Sequence, residues 1–149
     1  MYAVAATLAT ARVLTTARVL GAATTALALT AAAVRRRLVV VTVRGTSMMP
    51  TLRDGDRVLV RRCGAARLQR RAIVVTAQPR GPVAGWTIKR IVALPGDPVP
   101  ADVRAVAGVA TVPGGAIVVR GDNAISVDSR QLGFYPVDRV LGVMLLRLG

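Results

Sequence analysis

The sequence contains no histidine. That excludes Ser-His-Asp and Cys-His catalysis and every histidine-ligated metal site. It contains one cysteine, Cys63, so no intramolecular disulfide can form. With no histidine to activate it, Cys63 in R-R-C-G reads as a structural residue or a loop thiol. Aromatic residues make up 3% of the chain, so a core has to be built from Val, Leu, Ile and Ala. Glutamate is missing altogether, and all 7 acidic residues are aspartate. Lysine is nearly missing: of 21 basic residues, all but Lys89 are arginine. Arginine keeps its proton at physiological pH, whereas a buried lysine can lose one and act as a base. A single lysine among so many arginines is therefore a candidate for chemistry.

Some of what is present is less specific. The formal charge of +14 fits nucleic acid, anionic lipid or a bias towards arginine. The one-sided use of Arg and Asp favours the bias, and no nucleic-acid partner is expected. With 53% hydrophobic residues, the chain is not disordered throughout. Its 149 residues fit one domain with a short appendage, divided here as 1–37 and 38–149.

Residues 1–34 are mostly Ala, Val, Leu and Thr, with Arg12 and Arg18 as their charges. The uninterrupted run Val19 to Val34 would span roughly 24 Å as a helix, short of the ~30 Å hydrocarbon core. A start at Val13 lengthens it and brings in Arg18, which can snorkel. The segment reads as a retained membrane anchor, a signal peptide cut near Ala31-Ala32-Ala33, or an Ala-rich soluble or interfacial helix. Of these, a retained membrane anchor is expected. Arg35, Arg36 and Arg37 favour a cytoplasmic position by the positive-inside rule, which conflicts with an exported domain unless Arg12, Arg18 and the N-terminus prevail. The same arginines can meet anionic lipid headgroups.

From Leu38 the texture becomes β-branched. Strands are expected at 38–43, 57–62, 72–77, 86–93 and 116–120, with weaker β segments at 103–107 and 109–112. Residues 137–148 form a strand with a bulge at Gly142 or a terminal helix. Turns fall at R-D-G-D (53–56), Q-P-R-G-P (78–82), L-P-G-D-P-V-P (94–100) and P-G-G (113–115). Short strands at this spacing predict a mainly β domain of coiled antiparallel sheets, with no long helix after residue 37.

Ser47 lies in T-S-M-M-P-T-L, and a serine hydroxyl needs a base. Lys89 can serve if its pKa falls from about 10.4 towards 7–8, and desolvation is the usual cause. Strand alternation puts Thr87, Lys89, Ile91 and Ala93 on one face, with Arg90 pointing away. Read blandly, Lys89 is a solvated strand lysine and Ser47 an ordinary strand-to-turn serine. Gly45 permits unusual backbone angles beside Ser47, where N–H groups can form an oxyanion hole. Met48 and Met49 line an apolar groove or fill core.

Three boxes, in order, resemble the type I signal peptidases, the membrane-bound Ser-Lys proteases of clan SF. They are G-T-S-M-M-P-T-L with D-G-D-R-V-L-V, I-K-R-I-V-A-L-P-G-D, and G-D-N-A-I-S-V-D-S-R followed by Gly133. The resemblance runs from about Val39 to Val143. It implies Ser47 as nucleophile, Lys89 as general base, Ser126 as a hydroxyl supporting the amine, and Asp128 with Arg130 as a bracing pair. Gly45 stands where some members carry an oxyanion-hole serine and others glycine. The interval from G-D-N to Ser126 is one residue shorter than in many relatives.

The resemblance further implies sheets of the signal-peptidase/LexA-like type behind an N-terminal apolar helix. It implies no metal or organic cofactor, and cleavage of signal-peptide-bearing precursors after Ala-x-Ala. Lipid is the other expected partner. The expected location is the plasma membrane, single-pass, with the catalytic domain on the extracytoplasmic side. Alternatives are a specialised maturation peptidase with few substrates, a self-cleaving repressor of the LexA type, or a non-enzymatic basic β domain binding membrane or nucleic acid.

Overall fold

A computed structural model describes residues 35–79 and 85–148. The expected N-terminal apolar helix lies outside these residues. Seven strands form one curled antiparallel sheet in the order β1-β2-β7-β3-β4-β5-β6. They are β1 Leu38–Thr42, β2 Arg57–Arg62, β3 Ile73–Ala77, β4 Trp86–Ala93, β5 Ala116–Arg120, β6 Tyr135–Pro136 and β7 Val140–Arg147. Two short helices accompany them, α1 Ala101–Ala107 and α2 Ser129–Leu132. No described helix is long and apolar enough to cross a membrane.

The fold is mainly β, as the turn-bounded β-branched runs predict. Strands β2 and β4 have the expected ends. The closing segment is a strand after a short 3₁₀ turn at Val137–Arg139, and not a helix. Its register against β3 shifts between Gly142 and Val140, so Leu141 bulges next to the expected Gly142. A second shift against β2, between Leu146 and Met144, makes Leu145 another bulge. Such bulges bend and twist a strand, which suits a sheet that curls. Gly142 has its own reason to be glycine: a Cβ there would lie 2.2 Å from the Arg61 carbonyl oxygen.

The weak β segment expected at 103–107 is instead α1. Its helix signals are terminal. Asp102 sits in the first turn, and Gly108 closes the helix with φ +69. One side chain, Val103, anchors it against Val99, Val112 and Val118. Residues 109–112 form no regular strand; Thr111 makes an isolated bridge to Pro98.

Apolar side chains gather in three clusters of aliphatic residues with few aromatics. One, built from Val43, Met48, Leu52, Val58, Val60 and Val75, lies directly beneath the 43–56 connection that carries Ser47. Burying those side chains stabilises the connection, at roughly 1.5–3 kcal/mol for each large one fully buried.

Candidate active site

Lys89 is positioned by strand alternation. The buried residues of the second half of β4 are Lys89, Ile91 and Ala93, with the residues between them less covered. Lys89 is 3% exposed. Its Nζ donates a 3.0 Å hydrogen bond to Ser126 Oγ. Burial pushes the ammonium below its ordinary pKa, with Asp128 pulling it back up and Arg130 pushing it further down. The expected burial of the amine is present, and the desolvation it brings is what lowers the pKa.

Ser126 and Lys89 sit on a rigid support. Asp128 is fully buried and caps α2. Its carboxylate accepts from the Gly121 amide at 2.9 Å, and from the Arg130 amide, Nε and Nη2 at 3.1, 3.0 and 2.8 Å. Burial alone would raise this carboxyl. The Arg130 guanidinium and the two amides outweigh it and hold the group below its ordinary value. Arg130 also donates to the Ser126 carbonyl at 3.2 Å, so one guanidinium braces both ends of the 126–128 segment. Gln131 completes a capping box by accepting from the Asp128 amide.

The Ser47 connection is held from two directions. Within it, Gly55 donates to the Val43 carbonyl and Val43 to that of Asp56, closing its neck. Gly45 adopts φ +82, a conformation glycine takes without strain, and its N–H is engaged by Asp54 Oδ1 at 2.7 Å. From across the site, Asn123 donates its backbone N–H to the Ser47 carbonyl and its side-chain amide to the Thr46 carbonyl, both at 3.1 Å. Gly121 completes the contact. A Cβ there would lie 2.2 Å from Ser126 Oγ and 2.4 Å from the Ser47 carbonyl oxygen. Glycine is required because three segments converge on one point.

Ser47 is half-buried and lines a small cleft of about 160 Å³ with Val43, Met48, Val75, Trp86 and Ile88 among its walls. Residues Val41 to Arg44 form one side and Trp86 to Ile88 another. β1 and β4 are separated in the sheet by three strands, so curling brings them to one cleft. Met48 is fully buried and serves both readings, cleft wall and core. Met49 is 40% exposed, in the turn before Pro50.

Two residues outside the expected set also hold the site together. Arg90 leaves the opposite face of β4 and binds Asp122 through Nε and Nη2 at 2.8 and 2.6 Å. Asp122 is held below its ordinary pKa by Arg90 first, against the effect of burial, with a hydrogen bond from Thr51 adding to it. Arg90 thus ties the lysine strand to the G-D-N loop, and Asp122 in that loop meets Thr51 of the Ser47 connection. Asp122 lies in the G-D-N motif, and Arg90 points away from Lys89 as alternation predicts; only its length brings it to Asp122.

A buried amine on a serine hydroxyl, a second serine in an apolar cleft, and a curled antiparallel sheet together point to a serine peptidase. The family model described as "Signal peptidase, peptidase S26" matches residues 16–107. The chain belongs to that family. The match includes Ser47 and Lys89, and ends before the segment carrying Ser126, Asp128 and Arg130. No curated protein matches the chain.

Proposed function

We propose that the chain is a membrane-anchored signal peptidase in which Ser47 is the nucleophile and neutral Lys89 the general base. The observation that carries this reading is Lys89: one lysine, 3% exposed, placed on Ser126 and depressed in pKa by burial. Ser126 Oγ accepts a hydrogen bond from the amine and so orients its lone pair once Lys89 is neutral. Lys89 takes the Ser47 proton as Oγ attacks the scissile carbonyl, forming a tetrahedral oxyanion. In this reading the Ser47 backbone N–H stabilises that charge, since Gly45 has no side-chain donor and its own N–H is held by Asp54. Collapse expels the amine of the mature chain, which leaves with the proton from Lys89. Neutral Lys89 then takes a proton from water as that water attacks the acyl group, and returns it to Ser47 Oγ as the acyl group leaves.

The substrate lies extended between residues 41–44 and 86–88, in the manner of a strand added to a sheet. A small apolar cleft admits a methyl group and rejects bulk, which fits alanine before the cut. Residues 38–149 form the peptidase domain on the extracytoplasmic face, and the apolar run before them provides a single-pass anchor.

A purified full chain in detergent, given a precursor with an Ala-x-Ala site, tests this reading. Ser47→Ala keeps the wild-type circular-dichroism spectrum and releases no mature protein. Cleavage by Ser47→Ala at the wild-type rate would remove Ser47 from the mechanism.

A further inference from the structure

One end of the sheet collects arginines that the peptidase chemistry leaves unused. Antiparallel pairing sets the start of β1, the end of β2, the start of β7, the end of β3 and the start of β4 side by side. Leu38 pairs with Arg61, Arg62 with Gly142, Thr76 with Val140, and Ala77 with Trp86. At this end Arg37, Arg62, Arg67 and Arg139 line an open cleft of about 540 Å³ together with Trp86. Its one acidic wall residue is Asp138. The ion pairs among the described residues use Arg70, Arg90, Arg120, Arg130 and Arg147, and none involves these four. Four guanidiniums facing one carboxylate leave a strong positive field, and their planar forks match phosphate oxygens.

Two further observations select the anion. An apolar groove of about 540 Å³ adjoins the cleft, sharing Cys63, Gly64, Asp138 and Val140, with Pro136 and Val137 among its walls. A charged cleft opening into an apolar groove fits an amphiphile better than a bare ion. In sequence, the apolar run ends at Val34, immediately before Arg35–Arg37 and the start of β1. Trp86 is 62% exposed, as suits an indole at the headgroup level of a bilayer.

We infer that this cleft is a headgroup site for an anionic phospholipid. The arginines Arg37, Arg62, Arg67 and Arg139 hold its phosphodiester, and an acyl chain enters the groove beside Val137. The choice of lipid over other phosphates rests on the membrane-anchored reading above. Trp86 also lines the Ser47 cleft, so bound lipid borders the substrate channel.

Trp86 is the sole tryptophan, which makes its fluorescence a direct report on the cleft. The full chain in a non-ionic maltoside detergent is titrated with short-chain phosphatidylglycerol. The expected result is a saturable change in emission, with no saturation by the matching phosphatidylcholine and a far higher concentration of inorganic phosphate needed. Arg62→Gln with Arg139→Gln weakens binding by roughly 25-fold, at about fivefold per arginine, with an unchanged circular-dichroism spectrum. Four outcomes overturn the inference. They are equal response to both lipids, half-saturation by inorganic phosphate at the phosphatidylglycerol concentration, displacement of the lipid by an acidic peptide at lower concentration, or wild-type affinity in the double variant. Ser47→Ala separates this inference from the peptidase reading: it binds the lipid normally whether or not Ser47 is the nucleophile.

Discussion

Gly121→Ala tests whether the convergence of three segments sets the geometry of the site. The added Cβ meets Ser126 Oγ at 2.2 Å and the Ser47 carbonyl oxygen at 2.4 Å. Carbon and oxygen atoms that do not bond keep more than 3 Å apart, so relief requires a movement of roughly 1 Å, and a misplacement of that size costs about 10²-fold in rate. The serine hydroxyl can rotate, but the Ser47 carbonyl is backbone and carries the nucleophile with it. Inserting a methyl group into a closed contact also costs about 1–3 kcal/mol of stability. With a urea slope of about 1–3 kcal/mol/M, the midpoint falls by roughly 1 M.

Two glycines provide controls for that experiment. Gly64→Ala meets nothing within 4 Å and should match wild type in both assays. Gly142→Ala meets the Arg61 carbonyl at 2.2 Å, away from Ser47. It should lower the urea midpoint yet retain kcat/KM per folded molecule. Gly121→Ala should lower both. Wild-type kcat/KM per folded molecule in Gly121→Ala would refute the argument that this contact positions Ser47.

The electrostatics yield two more predictions. Arg130 pushes the Lys89 pKa down, so Arg130→Gln should move the acid limb of the kcat/KM profile to higher pH; an unmoved or lowered limb contradicts the assignment. Lys89 is also a cost to the fold, since its folded pKa lies below its ordinary value of 10.5. Between those two values unfolding takes up a proton, so stability rises with pH through that window and the penalty is complete below it. Lys89→Met should therefore raise the urea midpoint at neutral pH and flatten its rise towards pH 10. A midpoint below wild type at pH 7 would show that the amine stabilises the fold.

Much of the site was legible because its logic is local. The alternation of W-T-I-K-R-I-V-A places Lys89 with Ile91 and Ala93, and all three are buried. The ends of β2 and β4 follow from Gly, Asp and Pro turns on their flanks. Residues 103–107 misled because Val103 and Val106 are β-branched and weigh towards a strand, whereas Asp102 and Gly108 set helix ends. Arg90 does leave the face opposite Lys89, as alternation predicts; its partner was not legible, because strand alternation gives the direction of a Cβ and not where a long guanidinium side chain ends, here on Asp122. The need for glycine at 121 and 142 arises from how the chain folds back: Ser126 and the distant Ser47 carbonyl crowd Gly121, and the distant Arg61 carbonyl crowds Gly142.

In the proposed mechanism Lys89 works as a neutral base on Ser47. Lys89→Arg tests it most directly, because arginine keeps a positive charge at this position and cannot give up its proton. Initial rates of release of mature protein from an Ala-x-Ala precursor, measured on a variant with a wild-type circular-dichroism spectrum, should fall about 10²–10⁴-fold. Cleavage at the wild-type rate would contradict the account.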